Sequence, residues 1–359
     1  MLDIFKSLKS FGAQSYLGVD IGTTSIKIVE VSKGKVKPEL KNYGILESYG
    51  HLERVNNAIQ TSSLKIVEND TAELLKLLIK NSKFKTSEAV ASIPSFAAFI
   101  TLLEIPQMSD TEITSSMKYQ LGQYVPLPAS EVTIDWTKVG ERQDEQGFVK
   151  EQILLISVPN EVIKKYTNIF KLAGLKLRAI EVESLSLLRS VEFEDDAPTL
   201  IVDIGARSTN IVIAEQKALK YNYQTDFSGT NLTQVLSSGL GINIRRAEKI
   251  KKEKGLLDTS GSEISTLMAP FLDAILDEVR RAKNKYEQSF NNPIKRIILS
   301  GGGSKLLGID GYFSNQFNLP VSIGDPFRKV EYPSAIEPLT RELGPSFAVA
   351  IGLGIKNLI

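Results

Sequence analysis

Two aspartates stand at the ends of apolar, β-branched segments, and each is followed by Ile-Gly and a short polar stretch. Residues 22–25 read Gly-Thr-Thr-Ser after Asp20, and residues 205–208 read Gly-Ala-Arg-Ser after Asp203. Mg²⁺ is usually held in proteins through one or two carboxylates together with substrate phosphates and water. The successive backbone N–H groups of a tight glycine-containing turn bind phosphate oxygens. These residues therefore predict two phosphate-binding turns, each with a carboxylate placed for magnesium.

The two turns belong to an internal repeat. Residues 17–31 and 200–214 align without gaps at an offset of 183 residues, and eight of the fifteen positions are identical. Each copy is a β-branched run, a Gly-containing turn and a second β-branched run, which is typical of a β-hairpin. The chain is therefore predicted to contain two related halves that each begin with the same hairpin.

A third glycine-rich element follows a short apolar strand at residues 295–299. Gly301, Gly302 and Gly303 come directly after it, and backbone without Cβ atoms can lie flat against an adenine and a ribose. The chain contains neither a G-x-x-x-x-G-K-[ST] loop nor a G-x-G-x-x-G motif, so P-loop and Rossmann sites are not indicated. The three elements together predict a cleft that holds a nucleotide.

Composition excludes several other kinds of chemistry. The chain has no cysteine and a single histidine, His51, so thiol catalysis, disulfides and cysteine-based zinc sites are excluded. His51 follows a glycine in a polar stretch and is predicted to lie in a loop. The formal net charge of +1 argues against nucleic acid as a partner. No apolar run is long enough for a transmembrane helix, so we expect a soluble, cytoplasmic protein.

The remaining segments have their own patterns. Ser109 and Glu112 form a capping-box signature, and Pro126 is expected to end the helix that follows it. Residues 237–254 and 270–290 are predicted to be helical. Apolar residues at helical spacing in residues 1–11 predict an amphipathic segment that packs on its own domain, on a partner or on a membrane surface.

In this order the motifs resemble those of the actin-like ATPase superfamily, which includes actin, the 70-kDa heat-shock chaperones, sugar kinases and FtsA. The two hairpins resemble its phosphate loops and residues 300–304 its adenosine motif, and residues 180–188 and 348–352 resemble its two connecting segments. The resemblance covers the chain from about residue 16 to the end. It implies an α/β, actin-like (RNase H-like) fold, duplicated in two domains, with ATP and Mg²⁺ as cofactors.

The same resemblance implies a domain plan. The expected units are a first domain at 12–197 that contains an α+β insertion at about 95–178, a second domain at 198–344 with a helical and sheet subdomain at about 225–290, and a C-terminal helix at 345–359 that returns to the first domain.

The resemblance also assigns roles to residues. Asp20 and Asp203 are expected to hold Mg²⁺, and Glu183 to orient the attacking water, with Glu181 two residues away as the alternative. The expected cofactor-binding residues are Gly22, Thr23, Thr24, Lys27, Gly205, Ala206, Arg207, Ser208, Glu248, Lys251, Gly301, Gly302, Gly303 and Ser304.

Within the superfamily the chain is most similar to the PilM family of type IV pilus assembly proteins. The similarity rests on residues 106–136 of the insertion and on residues 299–312. It implies a scaffold, at most a slow ATPase, that binds the cytoplasmic N-terminal tail of PilN at the inner membrane. Contacts with other pilus platform or motor proteins and self-association remain open. The alternatives are an FtsA-like division filament protein and a small-molecule kinase.

Overall fold

The computed structural model describes residues 15–47, 68–143, 146–193, 195–257 and 263–358. His51 and the amphipathic segment at residues 1–11 lie outside the described residues, so both predictions stay as they stand.

Two five-stranded sheets have the same strand order and the same pattern of parallel and antiparallel pairs. The first has the order β3-β2-β1-β4-β8, with β1 at Ser15–Ile21, β2 at Ser25–Ser32, β3 at Glu39–Glu47, β4 at Glu88–Ile93 and β8 at Lys176–Val182. The second has the order β11-β10-β9-β12-β13, with β9 at Thr199–Ile204, β10 at Thr209–Glu215, β11 at Ala218–Thr225, β12 at Arg296–Ser300 and β13 at Val321–Ile323. The predicted duplication is therefore confirmed.

Helices cover these sheets and fill the segments between them. They are α1 at Glu68–Ser82, α2 at Asp110–Tyr124, α3 at Asn160–Leu172, α4 at Glu183–Val191, α5 at Gly229–Gly239, α6 at Ile244–Lys254, α7 at Glu263–Phe290, α8 at Ile309–Phe317 and α9 at Glu337–Ile355. No helix among the residues that the structure describes is both long and apolar enough to cross a bilayer.

The two predicted hairpins are closed by the same hydrogen bond. The N–H of Gly22 donates to the carbonyl of Ser25 at 3.0 Å, and the N–H of Gly205 donates to the carbonyl of Ser208 at 2.9 Å. Sequence identity between the repeats therefore extends to an identical turn geometry.

A third sheet of three strands, in the order β5-β7-β6, forms the insertion together with α2. Its strands are β5 at Phe99–Pro106, β6 at Val132–Gln143 and β7 at Val149–Pro159. The capping box at the start of α2 is confirmed, since the backbone N–H and hydroxyl of Ser109 donate to Glu112. The helix that follows the sheet, α3, packs Tyr166, Ile169 and Phe170 into the core of the first domain. The same core contains Leu154, Ile156 and Val158 of β7, so the insertion bounds of about 95–178 stay a prediction.

Three predicted ranges differ from the helices in the structure. The predicted helix at 237–254 is two helices, α5 and α6, because the side chain of Asn243 accepts the N–H of Arg246 and starts a new helix there. The subdomain predicted at about 225–290 consists, after the end of β11, of helices among its described residues. The C-terminal helix begins at Glu337 and runs continuously through Pro345, so the predicted start at 345 lies inside it.

The C-terminal helix α9 returns to the first domain, as the small residues near its end predict. It packs against β1, β2 and α4, where Gly352 and Gly354 allow a close approach. The same helix reaches the second domain through the carbonyl of Pro345, which accepts the N–H of Gly301 at 3.0 Å. This helix therefore joins both domains at the base of the cleft between them.

Candidate functional site

The two hairpin turns and the triple-glycine turn face one cavity of about 280 Å³ between the domains. Every predicted site residue except Ser304 lines it, namely Asp20, Gly22, Thr23, Thr24, Lys27, Glu183, Asp203, Gly205, Ala206, Arg207, Ser208, Glu248, Lys251, Gly301, Gly302 and Gly303. Residues that are far apart in the sequence thus meet because the duplicated sheets bring equivalent strand ends together.

Asp20 is fixed at the end of β1 by two neighbours. Lys27, its partner across the hairpin, forms an ion pair with it at 3.1 Å, and the hydroxyl of Ser92 at the end of β4 donates to its other oxygen at 3.0 Å. Asp20 is only 8% exposed, so its orientation is set by the protein rather than by water.

The repeat-equivalent pair in the second domain behaves differently. Asp203 lies opposite Asn210 on β10, which is the position that Lys27 occupies in the first hairpin. The amide nitrogen of Asn210 does not pair with Asp203 but donates to the hydroxyl of Ser95 in the first domain at 3.0 Å. The amide oxygen of Asn210 is buried and has no hydrogen-bond partner in the part of the chain that the structure describes. Asn210 therefore lines the cavity and keeps its amide oxygen buried and unpaired among the described residues.

Glu183 and Glu181 have opposite environments. β8 ends at Val182 and α4 begins at Glu183, so the two carboxylates do not share one face of an extended segment. Glu183 faces the cleft and accepts the backbone N–H of Ser95 at 2.9 Å. Glu181 is 1% exposed and lies at 2.7 Å from both Arg189 and Lys356. The geometry assigns Glu183 to the cleft and Glu181 to the support of α9.

Burial dominates the electrostatics of the cleft carboxyls. It raises the pKa of Glu183 to about 8; the hydrogen bond from Ser95 opposes this shift, and the charges of Asp203 and Asp20 reinforce it. Burial also raises the pKa of Asp203 to about 6, with a further contribution from Asp20 that Lys27 partly offsets. Repulsion between these carboxyls thus adds to the effect of burial on their pKa values.

The triple-glycine turn packs directly on the second hairpin. Gly301 has a φ of +77°, and Gly302 to Lys305 form a short 3₁₀ helix. Ser304 is buried, and its hydroxyl donates to the carbonyl of Gly301 at 2.8 Å. The hydroxyl of Ser304 thus holds the turn and does not line the cavity, and its contact with the cofactor stays a prediction.

Glu248 and Lys251 on α6 lie on the second-domain wall of the cavity. They form an ion pair at 2.7 Å, and the Lys251 ammonium also donates to the carbonyl of Gly229 and the hydroxyl of Thr233. This network fixes α6 to the start of α5, which is itself tied to the second hairpin by the N–H groups of Gly229 and Thr230.

Three residues beside the cleft carboxyls were not predicted from the sequence. Ser92, in β4, holds Asp20, and Ser95, just after β4, holds Glu183. Asn210 lies in the second repeat. A signal for Asn210 existed, because the alignment of the repeats places it at the position of Lys27. Ser92 and Ser95 lie outside the repeated hairpins, and no local pattern marks them.

The donor set fits a hydrated magnesium ion held with phosphates. Among the described residues no three acidic or histidine side chains lie close enough to hold a metal by themselves. The two carboxylates Asp20 and Asp203 interact, since the charge of Asp20 raises the pKa of Asp203. Mg²⁺ commonly takes one or two carboxylates and completes its shell with water and phosphate oxygens.

The raised pKa values predict how stability depends on pH in protein free of nucleotide and metal. Glu183 and Asp203 keep their protons to a higher pH in the folded chain than in the unfolded chain. Folding therefore takes up protons at any pH that lies between a group's unfolded and folded pKa values. The free energy of unfolding should therefore fall by on the order of 2–4 kcal/mol as pH rises from about 5 to about 8. Urea denaturation followed by circular dichroism measures it.

Glu183→Gln is the matched control for this pH dependence, because its side chain cannot ionise. Most of the fall in stability should disappear in this variant. An equally steep fall in wild type and variant would show that Glu183 is not the group responsible.

Comparison with known families decides where the chain belongs. A family model described as type IV pilus assembly protein PilM matches residues 18–358. The chain is a member of the PilM family.

Solved structures confirm the actin-like fold expected for a PilM-family chain. The PilM–PilN type IV pilus biogenesis complex superimposes with a TM-score of 0.81 and 22% identity, over 96% of this chain and 98% of that chain. MreB5 of Spiroplasma citri bound to ADP superimposes with a TM-score of 0.55 and 15% identity, over 95% of each chain.

Among curated sequences, the cell division protein FtsA of Enterococcus hirae is 21% identical over 358 residues, which cover 87% of this chain and 78% of that protein. FtsA of Neisseria meningitidis is 24% identical over 65% of this chain and 57% of that protein. The chain is thus similar in sequence to FtsA, as predicted, and the family model that it matches is that of PilM.

Proposed function

We propose that this chain binds Mg-ATP in the cleft and uses it to control the binding of a partner's cytoplasmic N-terminal tail during pilus assembly. The observation that carries the proposal is the convergence of two glycine-containing turns, three acidic side chains and a triple-glycine turn on one cavity. MreB5, with which the chain shares its fold, has been solved with ADP and with AMPPNP, which supports an adenine nucleotide as the ligand.

The turn geometry decides which groups are available for phosphates. The N–H groups of Gly22 and Gly205 are used inside their own turns. The groups left for phosphate contacts therefore lie at the tips of the two hairpins. They belong to Thr23 and Thr24 in the first hairpin and to Ala206 to Ser208 in the second. Arg207 is exposed at the second tip, where its guanidinium can pair with phosphate oxygens in a bidentate manner.

We propose Glu183 as the group that orients the attacking water, although its raised pKa keeps it protonated near neutral pH in the absence of nucleotide and metal. A protonated carboxyl cannot accept the proton of an attacking water. Bound Mg²⁺ would supply positive charge that lowers the pKa of the cleft carboxyls. Glu183 would therefore act as a base only once Mg²⁺ is bound, and we propose that the cleft serves as a switch with at most slow turnover.

The proposed partner is the N-terminal cytoplasmic tail of PilN. The support for it is the likeness to a chain from a PilM–PilN complex, together with membership of the PilM family. Binding such a tail would place the protein peripherally at the inner membrane through its partner. ATP can change the affinity for the tail only if the tail binds the nucleotide-loaded and nucleotide-free states differently.

Calorimetry with Mg-ATP tests the nucleotide site. We expect Asp203→Asn to weaken Mg-ATP binding by about 10- to 100-fold, because a charged contact to the magnesium shell is lost. Asp310→Asn is the matched control, since Asp310 is exposed at the start of α8 and lies outside the cleft. Equal affinities for wild type and Asp203→Asn would contradict the proposed magnesium position.

The same instrument tests the switch with a synthetic PilN tail peptide. The peptide should bind about tenfold more tightly to Mg-ATP-loaded than to nucleotide-free protein, within the usual range of coupling between sites. Equal affinity in both states would remove the switch, and absence of binding in both would remove the partner. ATP-dependent sedimentation without any partner would instead favour the FtsA-like filament.

A further inference from the structure

Two β-bulges face each other across the boundary between the insertion and the second domain. In the β10–β11 pair, Ile213 lies opposite Tyr221 and Ala214 opposite Leu219, so Lys220 is the extra residue on β11. In the β6–β7 pair, the register changes between Lys138 and Gly140, so Val139 is the extra residue on β6. A bulge leaves one residue outside the ladder and re-aims its side chain or backbone groups.

Lys220 joins the two bulges. Its ammonium donates to the carbonyl of Val139 at 2.6 Å and to the side-chain oxygen of Gln152 on β7 at 2.7 Å. Lys220 is 4% exposed and Gln152 is 3% exposed, so both contacts are shielded from water. Burial lowers the pKa of Lys220, because the charged ammonium is less stable away from water. The buried lysine therefore lowers the free energy of unfolding by an amount that an exposed lysine would not.

The insertion is shaped to receive this ammonium. Gly140 has a φ of +151°, and a Cβ atom there would lie 2.7 Å from the Lys220 nitrogen and 3.1 Å from the Gln152 oxygen. Any side chain at position 140 would therefore displace the lysine.

A second contact lies beside the first. Gln152 donates to Glu104 on β5 at 3.2 Å, and Glu104 also accepts from Arg142 at 3.4 Å. The Arg142 guanidinium lies over the ring of Phe290, at the end of α7 in the second domain, at 5.7 Å from its centre. All three strands of the insertion thus contribute to a polar network that reaches the second domain.

The covalent connections of the insertion, by contrast, run to the first domain only, through the segment before β5 and through α3. Rotation of one domain relative to the other must therefore either bend those connections or break the Lys220 contacts. Buried, satisfied hydrogen bonds with close packing resist gradual deformation, whereas chain connections at the ends of elements absorb changes in backbone angles.

We propose that Lys220 clasps the insertion to the second domain, so that the insertion follows the second domain when the cleft changes its opening. The link from this movement to nucleotide rests on the function proposed above. If nucleotide opens or closes the cleft, the Lys220 contacts move the insertion together with the second domain, although Lys220 does not contact the nucleotide.

Distance measurements by electron spin resonance test the clasp, because the chain has no cysteine and introduced cysteines are its sole labelling sites. One label at Glu131→Cys reports on the insertion, and a second is placed at Asn284→Cys in the second domain or at Lys171→Cys in the first. All three positions are exposed. Lys220→Met is introduced into each pair, and Lys80→Met, at an exposed lysine of α1, is the matched control.

Without nucleotide, the 131–284 distance in the parent protein should have a single narrow distribution. Lys220→Met should add a second population at longer distance, whereas Lys80→Met should keep the narrow distribution. Identical distributions in Lys220→Met and its parent would overturn the clasp. If Lys220→Met does not fold, Gly140→Ala provides the same comparison, because it keeps the lysine but displaces its ammonium.

On addition of Mg-AMPPNP, the 131–171 distance should shift while the 131–284 distance stays fixed. In Lys220→Met, the 131–171 distance should stay fixed while the 131–284 distance shifts. A 131–171 distance that stays fixed while 131–284 shifts in the parent protein would overturn the proposal. If no distance responds to Mg-AMPPNP, the nucleotide function fails, but the nucleotide-free comparison still decides the clasp.

Discussion

We expect Glu181→Gln to lower the free energy of unfolding by about 3–5 kcal/mol, the usual cost of removing one partner from a buried ion pair. Burial would by itself raise the pKa of Glu181, but Arg189 and Lys356 outweigh it and hold the pKa at about 2. The glutamine leaves two buried cations without a counter-charge. Urea denaturation at neutral pH, followed by circular dichroism, measures the change.

Glu183→Gln is the matched control, since it makes the same chemical change two residues away. At neutral pH the folded chain must keep Glu183 protonated although the unfolded chain would ionise it, so the amide should raise the free energy of unfolding rather than lower it. Mg-ATP should still bind to Glu183→Gln, while any slow turnover should be lost. Similar losses of stability in both variants would contradict the division of roles between the two carboxylates.

This pair illustrates where sequence reasoning reaches its limit. The segment that contains both glutamates was predicted from its resemblance, but the two could not be separated while the segment was treated as extended. The boundary between β8 and α4 falls between them, after Val182. A shift of that boundary by one or two residues would change which carboxylate faces the cleft, and element boundaries are the least certain part of any sequence-based prediction.

Local signals were sufficient for much of the fold. The hairpins, the capping box at Ser109 and the closely packed C-terminal helix follow from residue types a few positions apart. The end of the insertion is harder to predict, because α3 has an ordinary amphipathic pattern. Nothing within that pattern says which core receives Tyr166 and Phe170, and here it is the core of the first domain.

Contacts between distant segments account for most of what could not be predicted. Ser95 holds Glu183 and meets Asn210, and Lys220 meets Val139, although each pair is separated by some 80 residues or more. The Lys220 contact also requires bulges in two different sheets. A bulge depends on the register between strands, and a single sequence does not fix that register where both faces of a strand are partly buried.

The triple-glycine turn allows a sharp test, because its first two glycines have different surroundings. A Cβ atom on Gly301 would lie 2.5 Å from the carbonyl oxygen of Ile204 and 2.6 Å from a carboxylate oxygen of Asp203. Gly302 is exposed, and a Cβ atom there would meet nothing within 4 Å. One position is therefore restricted by the protein itself, and the other is open to a ligand.

We expect Gly301→Ala to lower the free energy of unfolding by about 2–4 kcal/mol, since it combines an unfavourable positive φ with overpacking against the second hairpin. Because the clash displaces Asp203, Mg-ATP affinity should fall as well. Gly302→Ala should keep wild-type stability within about 0.5 kcal/mol, as expected of an exposed substitution, yet still weaken nucleotide binding if the adenosine lies against this turn. Denaturation and calorimetry on both variants separate the two effects. Wild-type affinity in Gly302→Ala would contradict an adenosine that lies against this turn. Wild-type stability in Gly301→Ala would mean that the turn accepts a methyl group without displacing Asp203.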